Sequence, residues 1–216
     1  MSFLAAAMTE FQAHPQVIDK FCETLRPDLI AEALEATGTA SVRRRKLPAE
    51  QVVWLTVGMA MFTNTSIRQT LDRLNLTING KVVPSAVSDA RKRLGPKPLS
   101  YLFDLLARSW TQQISSETSW RGMRLLGIDG TTMRVLDSDE NLKHFGKPGS
   151  HRAEAAYPQV RVVAVMDLGQ RLLYSAEMGP LSRGENSMAA GLLDRLPVDC
   201  LCLMDRDFLA LDTFIA

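Results

Sequence analysis

Cysteine is scarce in this chain: Cys22, Cys200 and Cys202 are the three present in 216 residues. No two of them form a Cys-x-x-Cys pair, and Cys200 and Cys202 sit inside an apolar run. That pattern excludes a disulfide framework and suits buried, reduced thiols of a cytoplasmic protein. The three histidines, His14, His144 and His151, are scattered without zinc-ligand spacing. Long hydrophobic runs are missing too. The longest, Val52 to Phe62, is too short to span a bilayer, and Met1 to Met8 lacks the basic start and apolar core of a signal peptide. Neither repeats nor low-complexity segments occur, and with 46% hydrophobic and 23% charged residues the composition is that of a globular protein rather than a disordered one. At this length the chain can bury a real core as one large domain or two small ones.

The net charge is only +1, but it is unevenly spread. Between Ser41 and Lys97 eleven lysines and arginines face three acids, so the remainder of the chain is acidic. The asymmetry predicts a basic module that meets a polyanion, joined to an acidic module with another task.

Periodicity divides the chain near residue 120. Before it, helices are expected over Val17–Ala36 (bent or restarted at Pro27), from Pro48 to about Phe62, over Ser66–Leu74 with Ser66 as cap, over Ser85–Leu94, and over Leu99–Ile114. The helix after Pro48 is apolar on nearly all sides and so central; Trp54 and Trp110 read as core. Beyond Trp120, short strands are expected at Met123–Ile128, Val160–Met166, Arg171–Met178 and Asp199–Met204, with a helix over Ser187–Leu196. The middle two strands form a hairpin around Asp167-Leu168-Gly169-Gln170. The expected fold class is α+β: an all-α domain of residues 1–120, then an α/β domain of residues 121–216 whose strands and helix appear in the order β-β-β-α-β.

Asp129 and Asp205 each follow a short apolar strand. If the first and fourth strands are neighbours, the two carboxylates meet at strand ends, where open sheets place their chemistry. Paired carboxylates can share Mg²⁺, which favours oxygen ligands, and a metal pair about 4 Å apart can activate an attacking oxygen and stabilise a leaving one in phosphodiester chemistry. Aspartate also favours turns for local reasons, so pattern alone leaves both readings open.

The motifs add to this. Gly127-Ile128-Asp129-Gly130-Thr131-Thr132, Phe145-Gly146-Lys147-Pro148-Gly149-Ser150, Ala156-Tyr157-Pro158-Gln159-Val160-Arg161, Gly179-Pro180, Arg183-Gly184-Glu185 and Leu203-Met204-Asp205-Arg206-Asp207-Phe208 resemble, in order and spacing, the blocks of insertion-sequence-four-type transposases over roughly residues 25 to 216. The resemblance implies a ribonuclease-H-like sheet in which three acids, Asp-Asp-Glu, hold two divalent metals, Mg²⁺ or Mn²⁺. Asp129 would be the first acid and Asp205 the second. Arg206 would contact DNA phosphate or form a surface ion pair, and Thr131 and Thr132 would bond around the site or continue the strand edge. Glu185 reads as a helix-start acid favoured by the dipole. Two departures stand out. Asp207 occupies a position where the family usually has Gly, and no residue here matches the third acid of the family's Tyr…Arg…Glu block. Asp137, Asp139, Glu140 and Asp167 read as acids of loops or turns. The expectation is an insertion-element transposase with a truncated catalytic domain, which binds element ends and in full-length form catalyses metal-dependent DNA cleavage and strand transfer, but carries out no strand transfer alone; the alternative is a catalytically inactive DNA-binding protein that inhibits the full-length enzyme.

Within the basic module, Ser66–Leu74, the Asn79-Gly80 turn and Ser85–Leu94 resemble a helix-turn-helix. Ser85, Ser88, Arg91, Lys92 and Arg93 are the candidate DNA contacts. Arg43, Arg44, Arg45 and Lys46 are either a phosphate clamp or a solvated loop. The expected partner is double-stranded DNA, with a homodimer on DNA possible, at the nucleoid.

Overall fold

The computed structural model describes residues 25–41, 47–74, 83–111, 119–150, 153–154 and 157–208. Arg43–Lys46, the Asn79-Gly80 turn, Cys22, His14 and His151 lie outside the described residues. The chain is α+β, and its described residues form two compact units, 25–106 and 107–208, which divide at Leu106/Ala107. Among the described residues no helix is long and apolar enough to cross a membrane.

The first unit is helical: α1 Pro27–Ala36, α2 Ala49–Met61, α3 Ile67–Arg73, α4 Pro84–Leu94 and α5 Lys97–Thr111, the last running across the division. Helix α2 is its hub, packed by α1, α3 and α4. This is why its apolar residues surround it: Val52, Val53 and Leu55 are almost wholly buried, each contributing about 1.5–3 kcal/mol of burial. Gly58 lets α3 close onto α2, because a Cβ there would lie 2.5 Å from Leu74 Cδ1. Helix α3 starts with a capping box: the Gln69 N–H donates to Ser66 Oγ, and the Ser66 N–H donates to Gln69 Oε1. Helix α4 begins with Pro84, whose missing N–H costs nothing at that position, and buries Val87, Ala90 and Leu94. Gly95, at φ +69°, ends it.

The second unit is a mixed sheet with helices: β1 Ser119–Trp120, β2 Met123–Arg134, α6 Asp139–Phe145, β3 Gly149–Ser150, β4 Ala153–Glu154, β5 Gln159–Asp167, β6 Leu172–Pro180, α7 Glu185–Leu193, β7 Cys200–Met204 and a 3-10 turn Arg206–Phe208. Strands β3 and β4 pair only with each other. In the main sheet β6 pairs β5, β5 pairs β2 antiparallel, and β7 joins the other edge of β2 in parallel. Helix α7 is the crossover into β7. It buries Met188, Ala189 and Leu192 against Leu126, Ile128, Val163 and Val165, with Phe208 in the same cluster.

Two expectations change. Strand β2 does not stop at Ile128: it continues to Arg134, because β5 pairs with it throughout, from Leu126↔Asp167 to Arg134↔Gln159. Asp129 therefore lies within a strand, at the point where pairing with β7 ends. Asp139 and Glu140 occupy the first turn of α6, which Ser138 caps, and Asp167 is the last residue of β5.

Asp167 is also buried beside Arg124 (Nε to Oδ2 3.5 Å, side chains 6% and 7% exposed). At that separation the contact is an ion pair without a hydrogen bond. The Arg124 guanidinium also donates to the Thr111 carbonyl at the end of α5, and Asp167 Oδ1 accepts from the Gln170 N–H at 2.9 Å, closing the β5–β6 turn.

Candidate active site

Strand β7 meets β2 in parallel register from Arg124↔Cys200 to Ile128↔Met204. The next residues on the two adjacent strands are Asp129 and Asp205. Neighbouring strands lie about 4.8 Å apart, so the backbone brings two carboxylate-bearing positions side by side at the carboxyl end of the parallel pair.

Each position is fixed locally. Leu126 and Ile128 face the α7 core, so the pleat turns Asp129 to the opposite face of the sheet, with Gly127. Asp129 is half-buried, and its Oδ1 accepts the Gly130 N–H at 2.8 Å. Asp205 is exposed, but the chain on both sides of it is anchored. Met204 packs against the core before it and Phe208 is buried after it, the Phe208 N–H donating to the Asp205 carbonyl at 3.0 Å. Arg206 and Asp207 are exposed on the 3-10 turn between these anchors.

Behind the site, Glu185 at the start of α7 lies against Gly130, where a Cβ would come within 2.7 Å of its carboxylate. Arg161 Nε is 3.6 Å from Glu185 Oε1, and its Nη1 donates to the Arg183 carbonyl at 2.8 Å. Gly130 thus leaves room for the Glu185 carboxylate, and Glu185 does more than start a helix: it meets β2 at Gly130 and β5 at Arg161. Only the Gly-Glu coincidence of two distant motifs could have signalled this in the sequence. Among the described residues no group of three His, Cys, Asp or Glu side chains gathers as a metal site.

With this geometry in place, comparison with known proteins is decisive. The family model for the insertion element 4 transposase N-terminal region matches residues 15–104, and that for the transposase DDE domain matches residues 120–215. Transposase InsG for insertion sequence element IS4 of Escherichia coli strain K12 is 36% identical over 190 residues, covering 87% of this chain and 43% of InsG. The putative transposase InsZ of the same strain is 31% identical over 218 residues, covering 96% of this chain and 71% of InsZ. The chain belongs to the insertion element 4 family of DDE transposases. It spans less than half of InsG and about seven-tenths of InsZ. No solved structure matches it.

A DDE domain implies a divalent metal, and the donors here fit one. Asp129 within β2 and Asp205 just after β7 supply hard carboxylate oxygens on neighbouring strands, the ligand type that Mg²⁺ and Mn²⁺ select.

In this transposase-family chain the other candidate residues are spread over two units. Ser85, Ser88, Arg91, Lys92 and Arg93 are all exposed on α4, whose buried residues are Val87, Ala90 and Leu94. Arg93 Nη2 also donates to the Leu47 carbonyl at 3.1 Å, which ties α4 to the residues before α2. Thr131 and Thr132 continue β2, paired with Val162 and Arg161.

Cys200 and Cys202 are partly buried on the β7 face that packs toward α7. Burial raises both thiol pKa values, that of Cys202 to about 11 with a further contribution from Cys200. A raised thiol pKa lowers the thiolate fraction at pH 8, about a hundredfold for Cys202, and the greater nucleophilicity of the thiolate returns about tenfold. Peptide mass spectrometry should therefore show Cys202 alkylated by iodoacetamide about tenfold more slowly in the native chain than in guanidinium. Equal rates would contradict the burial.

Proposed function

We propose that this chain is a DNA-handling transposase component: its helical unit binds element ends, and Asp129 and Asp205 contribute to the metal site for strand cleavage and joining. The β2/β7 register carries this reading, since two motifs distant in sequence become neighbours where a ribonuclease-H-like sheet would place its acids. The succession β2, β5, β6, α7, β7, with β7 parallel to β2, supports the same sheet assignment. Asp129 and Asp205 would hold Mg²⁺ or Mn²⁺, which when bound would activate the attacking oxygen and stabilise the leaving oxygen of a phosphodiester. This chain's own residues orient the site. The Gly130 N–H holds one Asp129 oxygen, Phe208 and Met204 fix the backbone at Asp205, and Arg206 is placed to meet a phosphate. A second reading keeps the DNA contact without the chemistry, because Asp129 and Asp205 have no third acid with them among the described residues. Metal-dependent nicking of an element-end duplex by the full chain, lost in Asp129→Ala, decides for the first reading, and binding without nicking decides for the second.

Helix α4 is the proposed reading helix, with Ser85, Ser88, Arg91 and Lys92 toward DNA. Because Arg93 also serves packing, the informative variant is Arg91→Ala/Lys92→Ala. Its affinity for an element-end duplex should fall, and the slope of log K against log salt should flatten by about two, close to one for each phosphate that is no longer neutralised. Fluorescence anisotropy across a salt series measures both, and an unchanged slope would remove α4 from the interface.

A further inference from the structure

Residues Phe145 to Gly149 of the next motif play no part in the carboxylate site, yet they line a cleft of about 520 Å³ in the second unit. Lys143, His144 and Lys147 line it together with Arg161 of β5 and the Pro180–Ser182 segment. Lys147 Nζ is 3.3 Å from Asp137 Oδ1, and Arg161 is held by Glu185. Lys143 is exposed and makes no ion pair among the described residues.

The backbone removes what would repel an anion. The carbonyls at the end of α6 would otherwise present negative charge. Those of Leu142, Phe145 and Gly146 instead accept the N–H groups of Gly146, Leu181 and Gln159. Lys143 remains there outside any ion pair among the described residues, beside Lys147 and Arg161, which are paired with Asp137 and Glu185.

Its place on the sheet matters as much as its charge. Arg161 pairs with Thr132 and Ala164 with Asp129. Opposed residues point to one face, so Arg161 shares the α7 face with Ile128 and Val163 while Asp129 points to the other, and the cleft is set apart from the carboxylates. We propose that this cleft is a second phosphate-holding site, apart from the carboxylates, in which Lys143 and Lys147 grip a phosphodiester of bound DNA. The inference rests on the reading of the chain as a DNA-handling transposase. Two flexible ammonium groups suit it, because they act as point charges on a phosphate without reading sequence.

The test uses the full chain and a fluorescently labelled 30-base-pair duplex. Lys143→Ala/Lys147→Ala should bind more weakly, with a salt slope shallower by about one for each lysine that touches phosphate. In the wild-type chain the duplex should protect Lys143 from acetylation, a readout that needs no variant. If Arg91→Ala/Lys92→Ala weakens binding while the cleft variant matches wild type and Lys143 stays reactive, the cleft proposal falls and the DNA reading stands. If the wild-type chain binds no duplex at low salt, both fall.

Discussion

Replacing Arg124 by Leu should destabilise the sheet unit by about 3–5 kcal/mol, the usual cost of leaving one partner of a buried ion pair uncompensated. Arg124 and Asp167 are nearly inaccessible to water, so Asp167 cannot recover hydration when its partner goes, and the Thr111 carbonyl loses a donor as well. For a unit of about 100 residues, each kcal/mol moves Tm by about 4–8 °C. Calorimetry should thus show its transition falling by more than about 12 °C while the helical unit's transition hardly moves. Arg124→Leu/Asp167→Leu should recover much of the loss, since an apolar pair of similar volume often substitutes without cost. A single variant as stable as wild type would show that the pair is hydrated.

Asp129→Asn and Asp205→Asn should each lower Mn²⁺ affinity by more than about a hundredfold, because even outer-shell partners of metal ligands are worth about 10- to 100-fold. The amide keeps the shape and the acceptor oxygen but removes the charge, so folding should be preserved. The double variant should lose less than the sum of the two single losses, since two ligands of one ion are coupled and not additive. Titration followed by the electron paramagnetic resonance of free Mn²⁺ reads all three. Independent, additive losses would separate the two carboxylates into different sites.

The element order was legible because its signals are local: the Asp167–Gln170 turn, β-branched Val160–Val165, and the strand-end position of Asp205. The extent of β2 was not. Gly130-Thr131-Thr132 has no apolar period and is a strand only because β5 runs beside it. Helix α6 escaped for a related reason, since it buries no residue and so carries no hydrophobic period, leaving the Ser138 cap as its only mark. The neighbouring of Asp129 and Asp205 could be stated only as a condition, because parallel pairing across a helix crossover leaves no local trace. The Glu185–Gly130 approach and the Lys143–Lys147–Arg161 cleft depend on residues brought together from separate motifs, and α4's candidate contacts were legible because the helical period alone sorts its exposed from its buried residues.

In the proposed site Asp129 and Asp205 hold one metal between them. Loading the full chain with Fe²⁺ in place of Mg²⁺ and adding ascorbate and peroxide generates hydroxyl radicals at the ion, which cut the nearest backbone. Mass spectrometry should find cleavage beside both Asp129 and Asp205, suppressed by excess Mg²⁺ and absent in Asp129→Asn. Cleavage at only one of the two, or at neither, would contradict the account.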